Sequence, residues 1–339
     1  MQPFWCSVCN QLLFFENSVC LHCGSELGFD PQQLALVTLS GADHGYQRCK
    51  NQHAARCNWL IADGDDEQLC LSCRLTTIRP NDDDDTSRDA FADAESAKRR
   101  LMHQLLALGL PVISHAQDPE RGLAFELLSA RDGDVITGHE AGVITLDLSE
   151  SDDAHREFVR QQLGEAYRTV LGHFRHEIGH YYWPSIVVQA GQIDEFRELF
   201  GDETLSYDEA RQRHYDSPAP FDPAGDYVSE YATMHPWEDW AETFAHYLHI
   251  RDGLDTAASF GLGIDGEAAA AAQAAFTGDA QARVTPIVTA WLRLTIGLNA
   301  MSRSIGEGEM YPFVLSPGVI RKLDFVHRVI ETATLNPGK

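Results

Sequence analysis

The stretch 173-HFRHEIGHYYW-183 contains His176, Glu177 and His180 in the pattern H-E-x-x-H, and the fold can be worked out from it. Apolar residues recur with helical spacing from Phe158 to Phe174, which predicts one long helix whose end carries both histidines. Two imidazoles one helical turn apart point at one metal ion. Glu177 can reach a water molecule on that ion without binding the metal. The pattern therefore predicts a zinc site with His176 and His180 as ligands and Glu177 as general base.

A third ligand is expected in 231-YATMHPWEDWAETFAHYLHI-250, where Glu238 and Glu242 lie one turn apart on a predicted helix. Aromatic and aliphatic neighbours would bury this helix, and a buried carboxylate needs a metal or a paired histidine. We assign Glu238 as the third ligand. Glu242 would then accept the other ring N–H of a ligand histidine. The reversed assignment, with Glu242 on the metal, remains open, and so does a solvated helix face for one or both acids.

The same segment offers two hydrogen-bond donors for a reacting carbonyl oxygen. Tyr231 lies seven residues before Glu238 and is the candidate that would stabilise the oxyanion, with a buried core tyrosine as the equal alternative. His235 is a second candidate, close to the ligands. It could equally cap the helix that begins at Pro236.

The rest of the large domain is predicted to be mostly helical with a short β-sheet. Helical periodicity extends over residues 90–108, 285–301 and 315–333, whereas 122-GLAFELLSA-130 and 142-GVITLDLSE-150 are typical of strands. A strand followed by a helix with H-E-x-x-H is the order that zincins use. We therefore expect residues 143–148 to form an edge strand with which a substrate strand pairs.

All eight cysteines lie within the first 73 residues, in two groups of four. The first group has two C-x2-C turns, which is the zinc-ribbon pattern of a four-thiolate site, and its members are Cys6, Cys9, Cys20 and Cys23. The second group is more loosely spaced but also predicts one four-cysteine zinc site, with the members Cys49, Cys57, Cys70 and Cys73. His44 and His53 are the alternative ligands for the second site, and His22 is read as a bystander.

The segment 79-RPNDDDDTSRD-89 combines a proline, four consecutive aspartates and small polar residues, which is typical of a solvated linker. It predicts a cysteine-rich head over residues 1–80, an acidic linker over 81–90 and a large domain over 91–339. The head has eight acidic and five basic residues, and its zinc thiolates add negative charge. Such a surface repels phosphate, so a structural role or a protein partner is favoured over nucleic acid for the head.

The formal net charge of −25 argues against nucleic acid and against anionic lipid as partners of the whole chain. The N-terminal MQPFWCSVCN has no basic region followed by an apolar one, which predicts no secretory signal. No apolar run reaches the length that spans a membrane. The expected location of the protein is the cytoplasm, where reduced cysteines bind metal more readily than they form disulfides.

The H-E-x-x-H segment, the gap of 57 residues before Glu238 and the E-x-x-A-E-x-F-A spacing resemble the gluzincin type of zinc metallopeptidase. With its cysteine-rich head, the chain resembles over nearly its full length a bacterial family of zinc-binding metallopeptidases with an N-terminal zinc ribbon. The resemblance implies an α+β fold with a zinc-ribbon head and a zincin-like domain. The chain departs from the best-known gluzincins at Glu242, where those enzymes have aspartate. The resemblance implies no firm substrate.

These observations predict a zinc-dependent peptidase that binds about three zinc ions per chain, one catalytic and two structural. Zinc would activate a water molecule, and Glu177 would take its proton as the water attacks the scissile carbonyl and pass it to the leaving amine. A second hypothesis is a regulatory or protein-binding module that keeps the zincin fold and metal but has little hydrolytic activity. The intact Glu177 favours the enzyme. A nucleic-acid-binding ribbon protein is the weakest of the three.

Overall fold

The computed structural model describes residues 1–39, 45–80, 85–129, 135, 137–162, 167–216, 221–274, 276 and 278–335. His44, one of the alternative ligands, lies outside these residues. The chain divides into two compact units. The first comprises Met1–Phe158 with Thr169–Phe174, and the second comprises Val159–Arg168 with Arg175–Lys339.

The first unit begins with three antiparallel two-stranded hairpins in the cysteine-rich region. Strand β1 (Phe4–Trp5) pairs with β2 (Leu12–Leu13), β3 (Leu27–Asp30) with β4 (Ala35–Thr38), and β5 (Tyr46–Arg48) with β6 (Leu60–Ala62). Their inner faces bury the aromatic rings of Phe15, Phe29 and Trp59, with centroids 4.8 Å apart for Phe15 and Phe29 and 5.0 Å for Phe29 and Trp59. The small head therefore has an aromatic core of its own.

A four-stranded sheet follows, and its order is β7 (Thr76–Ile78), β8 (Ala124–Leu128), β10 (Val143–Asp147) and β9 (Gly138–Glu140). The expected edge position of residues 143–148 is wrong, because β10 pairs in parallel with β8 on one side and antiparallel with β9 on the other. The reason is a two-residue turn at Ala141 and Gly142, both with positive φ, which folds β9 back onto β10. Strand β7 comes from the cysteine-rich region, so that region contributes to the sheet.

Helix α1 (Asp85–Ala107) begins earlier than the predicted residue 90 and therefore includes the second half of the stretch expected to be a linker. Residues 81–84 lie outside the described part of the chain. The helix packs on the hairpins: His103 lies 5.1 Å from the ring of Phe15, and Arg99 donates a hydrogen bond to the carbonyl of Ala55. The boundaries expected from composition, at residues 1–80, 81–90 and 91–339, stay a prediction about which parts of the chain fold independently.

The single long helix expected before His176 is two helices, α2 (Asp153–Gln162) and α3 (Val170–Trp183). Residues 167–169 are not helical. The side chain of Thr169 accepts a hydrogen bond from the N–H of Gly172 and so begins a new helix. Residues 163–166 are outside the described chain. Phe174 of α3 packs at 5.4 Å against Phe125 of the sheet.

The second unit is helical in the residues that the structure describes. After α3 come a π-helical turn at Pro184–Gln189, a 3₁₀ turn at Tyr231–Thr233 and six helices. These helices are α4 (Ile193–Phe200), α5 (Tyr207–Asp216), α6 (Pro236–Ser259), α7 (Glu267–Ala274), α8 (Thr285–Ser304) and α9 (Pro317–Leu335). The helices predicted at 285–301 and 315–333 are confirmed within a few residues, as α8 and α9.

The central helix α6 is surrounded by other elements of this unit. Its Trp240 is fully buried among the aromatic rings of Phe196, Phe200 and Phe325, which belong to α4 and α9. Its Asp239 is also fully buried and pairs with Lys322 of α9 at 2.6 Å. Helix α6 is thus fixed on several sides, which gives its acidic residues defined positions.

In the part of the chain that the structure describes, no helix has the length and apolar character needed to cross a membrane.

Candidate metal centre

Helices α3 and α6 approach closely at Gly179, the fourth residue of the H-E-x-x-H segment. A Cβ atom at this position would lie 3.1 Å from the Cα of Ala241, so a larger side chain would push the helices apart. The indole N–H of Trp240 donates a hydrogen bond of 2.8 Å to the carbonyl of Gly179. The glycine and the indole together bring the histidines of one helix within reach of the carboxylates of the other.

Three ligand atoms converge where the two helices meet. The Nε2 atoms of His176 and His180 are 3.2 Å apart, and Oε2 of Glu238 lies 2.9 Å and 3.5 Å from them. In a tetrahedral zinc site with bonds of about 2.0–2.1 Å, ligand atoms are about 3.3–3.4 Å apart. The three atoms therefore have the spacing that one zinc ion requires, and His180 and Glu238 are buried.

The hydrogen bonds of His176 leave its Nε2 as a lone-pair donor. Its Nδ1 lies 2.8 Å from Oε1 of Glu242, and a carboxylate can only accept at that contact. Nδ1 therefore carries the proton, and in the neutral ring Nε2 faces Oε2 of Glu238 with a lone pair. Two lone pairs at 2.9 Å repel unless a proton or a cation lies between them. The donor set thus fits a divalent metal ion.

Glu242 contacts the far nitrogen of His176, and this geometry favours Glu238 as the third ligand over the reversed assignment. Burial raises the pKa of Glu242, but the hydrogen bond and charge of His176, together with His246 and the hydrogen bond from Ser229, outweigh it and lower this pKa to about 2. The second oxygen of Glu242 accepts a hydrogen bond of 2.6 Å from Ser229, whose hydroxyl accepts in turn from the N–H of Ala232. Both oxygens of the Glu242 carboxylate therefore accept a hydrogen bond, one from His176 and one from Ser229.

Two side chains beside the ligands were missed by the sequence analysis. Tyr207, at the start of α5, donates a hydrogen bond of 3.0 Å to Oε1 of Glu238, the oxygen that faces away from the histidines. Ser229 holds Glu242. Neither residue is part of a motif, and both come from segments separate from α3 and α6. No sequence signal indicated them.

Tyr231 lies beside the cluster, with its ring centroid 5.8 Å from that of His176. Burial raises the pKa of Tyr231 far above its usual value, with contributions from the charge of Glu238 and from the neighbouring Tyr207, so its hydroxyl stays protonated. A protonated phenol near the ligands is able to donate a hydrogen bond.

His235 occupies the capping position at the N-terminus of α6. Its Nδ1 accepts a hydrogen bond of 3.1 Å from the N–H of Trp237, so Nε2 carries the proton and donates to the carbonyl of Leu205 at 3.1 Å. Both ring nitrogens are therefore engaged with the backbone. This is the capping role that the sequence left open for His235, and its ring also lies 5.5 Å from that of Tyr207.

Glu177 is buried, with 9% of its surface exposed. Burial is the largest effect on this carboxyl and raises its pKa, while the neighbouring His176 and His180 lower it. A carboxylate with a raised pKa is a better proton acceptor than one in water.

The cysteines form the two predicted clusters, in each of which all four Sγ atoms lie within 4.8 Å of one another. Closest Sγ pairs, such as those of Cys6 with Cys23 and Cys57 with Cys70, are 3.6 Å apart. Zinc–thiolate bonds of about 2.3 Å place the sulfurs of a tetrahedral site about 3.8 Å apart, whereas a disulfide needs about 2.05 Å. Neither cluster in the described chain includes a histidine.

Residues 87–329 match the family described as "putative zinc-binding metallo-peptidase". The chain belongs to this family. Residues 3–84 match a zinc-ribbon domain, which confirms the resemblance seen in the sequence and the cysteine-rich head. The family implies a peptide or protein substrate.

Relatives of this chain occur in mycobacteria. Proteins of Mycobacterium tuberculosis (strain H37Rv) and Mycobacterium bovis, both described as uncharacterized, are 48% identical to it over 334 residues. The match covers 98% of this chain and 96% of each relative. No solved structure matches the chain.

Proposed function

We propose that this protein is a zinc-dependent peptidase of the gluzincin type, with His176, His180 and Glu238 as the ligands of the catalytic zinc. The observation that carries the proposal is the convergence of one atom from each ligand at 2.9–3.5 Å, with Glu177 in the same turn of α3. A purely structural metal site has no use for a buried carboxylate with a raised pKa beside its ligands.

These residues would hold a zinc ion, which would supply a lowered pKa for a bound water molecule, from about 16 to about 7, and polarisation of a carbonyl group. Glu177 takes the proton of the attacking water and passes it to the nitrogen of the leaving amine. Glu242 keeps the His176 ring in the tautomer that leaves Nε2 free to coordinate. The position of each side chain supports the role proposed for it.

The two tyrosines have different roles in this proposal. Tyr207 fixes Glu238 through its outer oxygen and is a positioning residue. Tyr231 remains protonated and donates a hydrogen bond to the oxyanion as the carbonyl is attacked. His235 supports the site by holding the start of α6 and the chain at Leu205.

With the two cysteine clusters as structural sites, the chain binds about three zinc ions. The proposed compartment is the cytoplasm, in which the thiols stay reduced and available to metal. A regulatory module with the same fold and metal but little hydrolysis is the second candidate, and the experiment below distinguishes it from the peptidase.

The test compares the zinc-loaded wild-type protein with Glu177→Gln on a peptide library derived from a proteome, with cleavage read by mass spectrometry. Glutamine retains the size of the side chain and removes the base, so zinc content and thermal stability serve as controls that the site is intact. Loss of the general base is expected to reduce cleavage by about 100-fold or more.

Cleavage by the wild-type protein alone would support the peptidase and define its preferred side chains. Equal cleavage by both proteins would exclude Glu177 as the base. Absence of cleavage by the wild-type protein, with three zinc ions bound, would favour the regulatory module.

A further inference from the structure

The first zinc ribbon exposes a face of large apolar side chains. Five of them, here called the ribbon face, have exposed fractions from 40% to 90% and are Trp5, Val8, Leu12, Phe14 and Leu21. Trp5 and Leu12 are direct cross-strand partners of β1 and β2. Their neighbours Phe4 and Leu13, also paired, are buried on the opposite side of the hairpin.

Strand alternation and the two cysteine turns determine where the other members of the ribbon face, Phe14, Val8 and Leu21, lie. Phe14 follows Leu12 by two residues, just beyond the end of β2, and is exposed like Leu12, whereas Leu13 and Phe15 are buried. Val8 lies between Cys6 and Cys9, and Leu21 between Cys20 and Cys23, so both flank the one cluster that these four thiols form. The aromatic rings of Phe15 and Phe29 are buried elsewhere and do not require these five side chains.

Clustered exposed apolar side chains mark an interaction site in soluble proteins, whereas single exposed residues do not, and Trp5 and Leu12 lie directly opposite each other on the hairpin. Trp5 and Phe14 are large and rigid, with 54% and 52% of their surfaces exposed, and aromatic side chains dominate the binding energy of protein interfaces. The feature is therefore the kind of surface that a partner covers.

The charge around the ribbon face indicates that its partner carries positive charge. The first 47 residues contain no lysine or arginine, and zinc with four thiolates carries a formal charge of about −2. Arg100 and Arg48 approach the ribbon, but they are paired with Glu16 and Glu26 respectively. A second copy of this chain brings a net charge of −25 and is repelled, and so is a phosphate-bearing partner.

We propose that the ribbon face binds a segment of another polypeptide in which aromatic or aliphatic residues alternate with lysine or arginine. The apolar side chains cover Trp5, Leu12 and Phe14, and the basic ones lie against the negative zinc–thiolate cluster. The proposal is independent of catalysis, because it uses no residue of the α3–α6 site.

The experiment measures binding of labelled synthetic peptides to full-length zinc-loaded protein carrying Glu177→Gln, which keeps the peptides uncleaved in the proposed mechanism. Three probes have the same length: one with Leu and Phe alternating with Lys and Arg, one with Glu in place of the basic residues, and one with Ser in place of the apolar residues. The test variant is Trp5→Ser with Phe14→Ser. The matched control is Met301→Ser with Ile305→Ser, which removes two apolar side chains of similar exposure (65% and 72%) from the region of α8.

The expected result is that the basic apolar peptide binds tightest, that binding weakens with salt, and that the test variant weakens it by about 10-fold or more while the control variant does not. Zinc content and melting temperature show whether the test variant is folded. If it is not, Leu21→Ser replaces it, since Leu21 is 90% exposed.

Three results would overturn the proposal. One is equal binding of all three peptides, and another is equal affinity of the test and control variants. The third is a dimer of the wild-type protein that the test variant dissociates, which would make a second copy of the chain the occupant.

Discussion

The Nδ1 atom of His176 lies 2.8 Å from Oε1 of Glu242, and this contact connects the histidine helix α3 to the acidic helix α6. It fixes the ring orientation and the tautomer, because only the protonated nitrogen can face a carboxylate. Glu242, on the far side of the ring from Glu238, thereby determines which nitrogen of His176 is free to coordinate a metal ion.

Glu242→Ala is expected to lower the affinity of the α3–α6 site for zinc by about 10- to 100-fold, because Nδ1 of His176 loses its partner and the ring is free to turn. Glu242→Gln keeps an acceptor oxygen and should lose less. The affinity can be measured by competition with a chromophoric chelator. Equal affinities of Glu242→Ala and the wild-type protein would contradict the supporting role.

Tyr207→Phe and Tyr231→Phe form a matched pair, since each removes one hydroxyl near Glu238. Tyr207→Phe should weaken zinc binding, because Oε1 of Glu238 loses its hydrogen bond, and kcat should change little once zinc is saturating. Tyr231→Phe should leave zinc affinity unchanged and lower kcat by about 100-fold or more, as loss of an oxyanion donor does. Kinetics at saturating zinc and chelator competition separate the two effects. Exchanged phenotypes would reverse the two assigned roles.

Gly179→Val tests the close approach of the two helices. A Cβ atom there meets the backbone of Ala241 at 3.1 Å, so valine should force α3 and α6 apart and destabilise the fold by about 1–3 kcal/mol. The variant should lose the zinc of the α3–α6 site and keep the zinc of both cysteine clusters. Gly263→Ala is the control, because nothing lies within 4 Å of a Cβ at that position. Elemental analysis measures the zinc content, and thermal melts measure the stability. An unchanged zinc content and melting temperature would disprove this packing argument.

Lys322→Met should destabilise the protein by about 3–5 kcal/mol, since it leaves the fully buried Asp239 without its cation. Chemical denaturation measures this change. The double variant with Asp239→Leu should recover much of the lost stability, because no buried charge remains. Arg303→Met, which removes a surface pair with Glu309, serves as the control and should have little effect. A Lys322→Met protein of wild-type stability would show that the buried pair contributes nothing.

The local patterns of the sequence predicted the helices α8 and α9, the strands β8 and β10 and both cysteine clusters. They also predicted that the H-E-x-x-H segment is helical and that Glu238 and Glu242 share one helix. These features depend on spacing within short segments, on apolar periodicity and on the chemistry of thiols. Such information is present in the sequence itself.

The remaining features depend on contacts between distant segments. The order of the sheet places β7 of the cysteine-rich region beside β8, and it moves β10 from the edge to an inner position. No periodicity specifies which strand pairs with which. In the same way, the contact of Tyr207 with Glu238 exists only because the helices position α5 beside α6. The break between α2 and α3 was missed because apolar spacing continues through it, although Thr169 provides a cap.

The central claim is that His176, His180 and Glu238 hold one zinc ion in addition to the two held by cysteines. The measurement that tests it most directly is the zinc content of purified wild-type protein beside that of His180→Ala, by elemental analysis with protein quantified by amino-acid analysis. We predict about three zinc ions per chain for the wild-type protein and about two for the variant, with an unchanged fold. Two zinc ions in both proteins would contradict the claim and would exclude a zinc site at His176, His180 and Glu238.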